Sequence, residues 1–119
     1  MNKLRLSLVL PLLAVIALSA MQGVYAQESA RTIPIVAKKF GYTPSEVHLK
    51  KGETVTLVLT SEDVTHGLKS KDLQLEAVIN PGQETKVTVT PQTAGQFTAF
   101  CNKFCGSGHF GMKMTFIVE

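Results

Sequence analysis

A two-residue period governs the apolar side chains from Ile33 to the C-terminus of this 119-residue chain. Ile33, Ile35 and Ala37 alternate with Thr32, Pro34 and Val36. Val47 and Leu49 then alternate with Glu46, His48 and Lys50, and Val55, Leu57 and Leu59 with Thr54, Thr56 and Thr60. Thr85, Val87 and Val89 repeat the pattern, Gln96 to Phe100 follows Gly95, and Met114, Phe116 and Val118 close the chain. Side chains on a strand point alternately to opposite faces, so each run offers one face to a core. Gly41-Tyr-Thr-Pro44, Lys51-Gly52 and Pro81-Gly82 read as turns between them. Short strands divided by Gly/Pro turns predict an all-β antiparallel sandwich or barrel, and no helical stripe of comparable length competes after the first 26 residues.

Those first residues read differently. Met1-Asn-Lys3-Leu-Arg5 is basic, residues 6–20 are apolar, and Val24-Tyr-Ala26 ends on a small residue. Basic start, apolar middle and small-residue cleavage site make a secretory signal. The expected division is a signal peptide over 1–26 and one domain over 27–119, with residues 27–30 a loose lead-in. The apolar run is shorter than the roughly 20 residues of a typical membrane span; retention as an uncleaved anchor is the alternative. Removing Lys3 and Arg5 leaves ten of the twelve basic residues against nine acidic ones, so the mature domain is near neutral. No basic stripe with interleaved aromatics points to nucleic acid. Ninety-odd residues suffice for one core.

Chemistry concentrates near the end. Cys101-Asn-Lys-Phe-Cys105-Gly-Ser-Gly-His109-Phe-Gly-Met112 places two thiols, an imidazole and a thioether at a C-x3-C-x3-H-x2-M spacing. Asp63-Val-Thr-His66 adds a second imidazole upstream. Thiolate and thioether are soft donors and imidazole is borderline, a set that favours copper over magnesium, calcium or manganese. Each four-residue step spans at most roughly 13 Å, so one loop can gather its donors on a common centre. A Cys101–Cys105 disulfide is the alternative, but it leaves the regular spacing of His109 and Met112 unexplained.

The stretch from Phe100 to Met112, followed by Thr115-Phe-Ile-Val-Glu119, resembles the binuclear copper (CuA) loop of cytochrome c oxidase subunit II. Asp63-Val-Thr-His66-Gly-Leu resembles that family's first-histidine motif, and Asn80-Pro-Gly-Gln-Glu84 the turn between the two. Single-copper cupredoxins carry one cysteine in this loop, whereas this chain has two. The resemblance implies a cupredoxin-like Greek-key β-sandwich. It also implies that Cys101 and Cys105 bridge two copper ions, with one imidazole each from His66 and His109. A weak axial thioether from Met112 and the backbone carbonyl of Lys103 would complete the set. Oxidases of this family usually carry an acidic residue where Lys103 stands, so the local charge is reversed while the main-chain donor is kept.

The implied function is electron transfer, from a cytochrome c-like donor to a terminal oxidase or another reductase, in the bacterial periplasm or at the outer face of the cytoplasmic membrane. Membrane association would run through a partner or the uncleaved N-terminus. A cytochrome c oxidase subunit proper and a periplasmic copper-binding or chaperone protein are the competing readings. With side-chain donors filling the site, little room is left for a substrate, so no catalytic residues are assigned.

Smaller features carry expectations of their own. Gly106, Gly108 and Gly111 suit a tight loop with positive φ or close backbone approach. Phe100, Phe104 and Phe110 are expected to pack, or else to shield the copper or make contact with a partner. His48 belongs on the surface and Met114 in the core, while Glu62 or Asp63 could orient His66 or cap a turn.

Overall fold

A computed structural model describes residues 30–119; the expected signal peptide, its cleavage point and most of the lead-in lie outside the described residues. Nine strands form two sheets. They are β1 (Arg31–Lys38), β2 (Gly41–Thr43), β3 (Glu46–Leu49), β4 (Val55–Ser61), β5 (His66–Ser70), β6 (Leu75–Ile79), β7 (Thr85–Val89), β8 (Gly95–Phe100) and β9 (Lys113–Val118). One sheet has the order β2-β1-β4-β7 and the other β3-β9-β8-β5-β6. The fold is the all-β cupredoxin-like sandwich expected. Among the described residues no helix is long and apolar enough to cross a membrane.

The alternation explains the core. Ile35 and Ala37 of β1 and Val55, Leu57 and Leu59 of β4 point inward from one sheet; Leu68, Ile79, Ala99, Met114 and Phe116 point inward from the other, all buried. Met114 is a core residue, as its parity with Phe116 predicts, and His48 is exposed.

Pairing departs from the antiparallel expectation at two places. β1 runs parallel to β4, with Ile33 opposite Leu57, and β3 runs parallel to β9, with Val47 opposite Phe116. A two-residue period is common to both kinds of sheet, so strand direction was never in the pattern. Gly41–Thr43, read as a turn, is an edge strand on β1, and β5 and β6 were not anticipated. His66 opens β5. The two segments that carry the predicted donors do not meet through β4, which lies in the opposite sheet. They meet because β5 pairs antiparallel with β8, with Lys69 opposite Phe100. His66 therefore overshoots the end of β8 by three residues, about 10 Å at the usual rise, straight over the loop that follows Phe100.

Candidate metal centre

The loop between β8 and β9 is closed at its neck, where the Cys101 amide donates to the Met112 carbonyl at 3.1 Å. Within it, a 3-10 turn over His109–Gly111 is held by His109 N–H to Gly106 O at 3.1 Å and Met112 N–H to His109 O at 3.2 Å. Gly106 sits at φ 135°, a conformation that disfavours any side chain. Gly108 is required for another reason: a Cβ there would lie 2.5 Å from Cγ of the Phe40 ring, which lies over this part of the loop. Gly111 has neither constraint, so the expectation of a special backbone role fails at that position.

This frame brings the predicted donors together. Cys101 Sγ and Cys105 Sγ are 3.6 Å apart, both thiols are free and both residues are buried. The disulfide alternative is therefore not the state of this structure. The ligating atoms of His66, Cys101 and Cys105 all lie within 4.8 Å of one another. His109 Nδ1 approaches Cys105 Sγ at 3.6 Å, and Met112 Sδ approaches the same sulfur at 3.7 Å. The Lys103 carbonyl oxygen is 3.1 Å from Cys101 Sγ. Four further sequence-predicted donors thus surround the pair of sulfurs.

His66 is fully buried, and its two nitrogens have opposite surroundings. Nε2 is 2.7 Å from Asp63 Oδ1, whereas Nδ1 is buried without any hydrogen-bond partner. A carboxylate accepts, so Nε2 carries the proton and Nδ1 is left with a free lone pair. Leaving such an atom unpaired costs about 1–3 kcal/mol, a cost that a metal at Nδ1 would remove. A carboxylate on the far nitrogen of an imidazole is the usual orienting arrangement for a metal ligand. Of the two acidic neighbours considered, Asp63 is thus the one that holds His66.

Asp63 is itself anchored. Its Oδ2 accepts the Lys39 amide at 2.7 Å and its Oδ1 the Val64 amide at 2.6 Å. The Lys39 amide foremost, then His66 and the Val64 amide, hold this carboxyl well below the usual carboxylate range. Burial pushes the Cys105 thiol above its ordinary range, with Cys101 adding to the effect and Lys39 opposing it. Burial likewise raises Tyr42, whose hydroxyl donates to the Gly67 carbonyl beside the site.

A metal–thiolate bond is about 2.3 Å long, so a single ion can touch both sulfurs across their 3.6 Å separation. Free paired thiols, a proton-free buried Nδ1 and a thioether form a donor set that fits a soft metal.

Two contacts carry no sequence signal. Gly67 N–H points at Cys101 Sγ, 3.5 Å away. A Cβ on Gly67 would overlap Asn102 Oδ1 and lie 3.0 Å from Asn102 Cγ, so β5 and the ligand loop touch backbone to side chain. The phenylalanines overturn the packing expectation: Phe104 is 75% exposed, Phe110 92% and Phe100 47%.

Comparison with known proteins agrees with this fold. The cupredoxin-like domain family matches residues 9–118. Cytochrome c oxidase subunit 2 of Thermus thermophilus is 31% identical over 88 residues, covering 74% of this chain and 65% of that protein. Nitrous-oxide reductase of Cupriavidus necator is 33% identical over 101 residues, covering 82% of this chain but 16% of the reductase. The chain therefore spans just under two thirds of the first relative and a small part of the second. The periplasmic domain of cytochrome oxidase subunit II of Bradyrhizobium japonicum superposes with a TM-score of 0.69 over 75% of this chain and 83% of that one, at 16% identity, a likeness of fold alone. With the family matched over nearly its whole length, the chain belongs to the cupredoxin-like domain family.

Proposed function

We propose that this domain is an electron-transfer protein holding a binuclear copper centre of the CuA type. The observation that carries the reading is the pair of free, buried sulfurs 3.6 Å apart with two imidazoles, a thioether and a main-chain carbonyl turned toward them. In this reading Cys101 and Cys105 would hold both ions between them, with His66 and His109 as further ligands. Met112 and the Lys103 carbonyl complete the set. Bound copper would supply a reversible one-electron couple.

The residues' part is to keep the donors still. Closure of the loop neck, the Asp63–His66 pair and the packing of Phe40 on the loop fix donor positions before any metal arrives. Little reorganisation is then left to slow an electron. Both thiols must lose their protons to ligate, so metal uptake releases protons and weakens in acid. Among the side-chain donors, His109 alone is only half-buried; the other four are buried. An electron thus has its shortest way out at that ring.

Relatives named as a cytochrome oxidase subunit and a nitrous-oxide reductase support redox-protein partners: a cytochrome c-like donor, and an oxidase or reductase as acceptor. Export to the periplasm, with a signal peptide over 1–26, belongs to the same proposal. The experiment is copper titration of purified protein and of Cys105→Ser. Wild type is expected to release protons as it fills, and Cys105→Ser to hold one copper at most. Equal copper in both would remove the bridging role. Mass measurement of the mature N-terminus separates a free carrier, processed after Ala26, from an integral subunit that keeps residues 6–20.

A further inference from the structure

Four phenylalanine rings border the loop that carries His109. Phe110 is 92% exposed, Phe104 75%, Phe100 47% and Phe40 40%. The Phe104 ring centroid is 5.5 Å from that of His109 and tilted by 52°; the Phe110 centroid is 5.0 Å away, edge-on at 73°. His109 therefore sits between the two most exposed aromatic rings of the described residues. Large apolar side chains left in water together mark an interaction surface.

Two lysines border this patch. Lys103 lies on the loop itself, and the Lys39 side chain comes within 3.8 Å of the space above Gly106. Neither lysine is in an ion pair among the described residues. Of the neighbouring carboxylates, Asp63 is engaged by His66 and two backbone amides and Glu76 by Lys69 and Asn102, while exposed Glu62 has no such contact among the described residues.

We infer that the face around His109 docks a redox protein whose contact patch is apolar at its centre and bordered by carboxylates. The inference rests on the electron-transfer reading above and supplies the polarity of the partner. Each aromatic ring offers about 150–250 Å², so four partly exposed rings suit the small interfaces, below about 1,200 Å², of weak electron-transfer encounters. The lysines steer and orient an acidic partner. An anionic lipid surface would also welcome phenylalanine and lysine. Seating the loop in lipid, however, would cover the one donor ring that reaches the surface.

The test titrates isotope-labelled, copper-loaded, reduced protein with three probes. They are a soluble cytochrome c with an acidic contact face, one with a basic contact face, and vesicles of phosphatidylcholine with phosphatidylglycerol. Amide shifts at residues 39–40 and 100–110 are expected with the acidic cytochrome, weakening as salt rises. The double variant Lys39→Glu/Lys103→Glu should raise Kd on the order of tenfold, and Phe110→Ser should weaken binding without changing the salt slope. Preference for the basic cytochrome, indifference to charge reversal, shifts on another face, or capture by vesicles through Phe110 would each overturn the proposal. Copper content, read on every sample, is independent of docking. Full copper with no loop shifts overturns the docking surface alone, whereas missing copper with intact loop shifts overturns the reading of the centre alone.

Discussion

Gly67→Ala is the sharpest structural perturbation available at this site, because it tests how β5 and the ligand loop are held together. The new Cβ would overlap Asn102 Oδ1, with Asn102 Cγ at 3.0 Å and the Asn102 backbone nitrogen at 3.2 Å. Swinging the amide away would break its Nδ2 contact to Glu76 Oε1 at 3.3 Å and still leave the backbone crowded. Overpacking of this kind costs about 1–3 kcal/mol. With a urea slope of about 1 kcal/mol per M for so small a domain, the unfolding midpoint of metal-free protein should fall by about 1–3 M. Pushing the loop off β5 also draws Cys101 away from the Gly67 amide and from His66, so copper affinity falls too. Adding Asn102→Ser removes the clashing amide and should restore at least half of the loss, a coupling of about 1 kcal/mol between touching residues. An unchanged midpoint in Gly67→Ala, or strict additivity in the double variant, would refute the contact as drawn.

Other consequences follow from the same site. Asp63→Asn should keep the fold but weaken copper binding by about 10–100-fold, the usual cost of losing the group that orients a ligand imidazole, as read by competition with a chelator. Asp63 is depressed in the folded state, so its stabilisation is complete above the unfolded carboxyl pKa of about 4 and lost as pH falls below it; thermal melts of metal-free protein should decline there, and less so in Asp63→Asn. Cys105 is shifted the other way. Metal-free protein should therefore lose stability as pH rises past the ordinary thiol value of about 8.5, a loss that Cys105→Ser reduces, leaving the part due to Tyr42 above about 10. Met112→Leu should retain both coppers and mainly shift the reduction potential, measured by voltammetry, because an axial thioether binds weakly.

The sandwich and the donor set were both legible in the sequence, but for different reasons. Alternation in the β1, β4 and β9 segments marks inward faces directly, since burial obeys the same two-residue period. It says nothing of strand direction or of which sheet receives a strand, so the parallel pairs and the seat of β4 were out of reach. His66-Gly-Leu-Lys-Ser70 hides its strand because two of its inward residues are a histidine and a serine rather than hydrophobic side chains. The donors could be named because soft-ligand chemistry resides in residue types and spacing. Asp63 was visible as a neighbour of His66, yet its selection over Glu62 needed the turn that aims one carboxylate at Nε2. The exposure of Phe104 and Phe110 was not predictable from hydrophobicity, because a surface kept for a partner carries the same residue types as a core.

Everything said of function depends on two sulfurs holding two metals at once. The direct measurement is copper per chain in the fully loaded, gel-filtered protein, taken with its electron paramagnetic resonance spectrum. Two coppers per chain, with hyperfine structure from one unpaired electron shared equally between both nuclei, is the predicted result. One copper per chain, or an electron localised on a single nucleus, would contradict it.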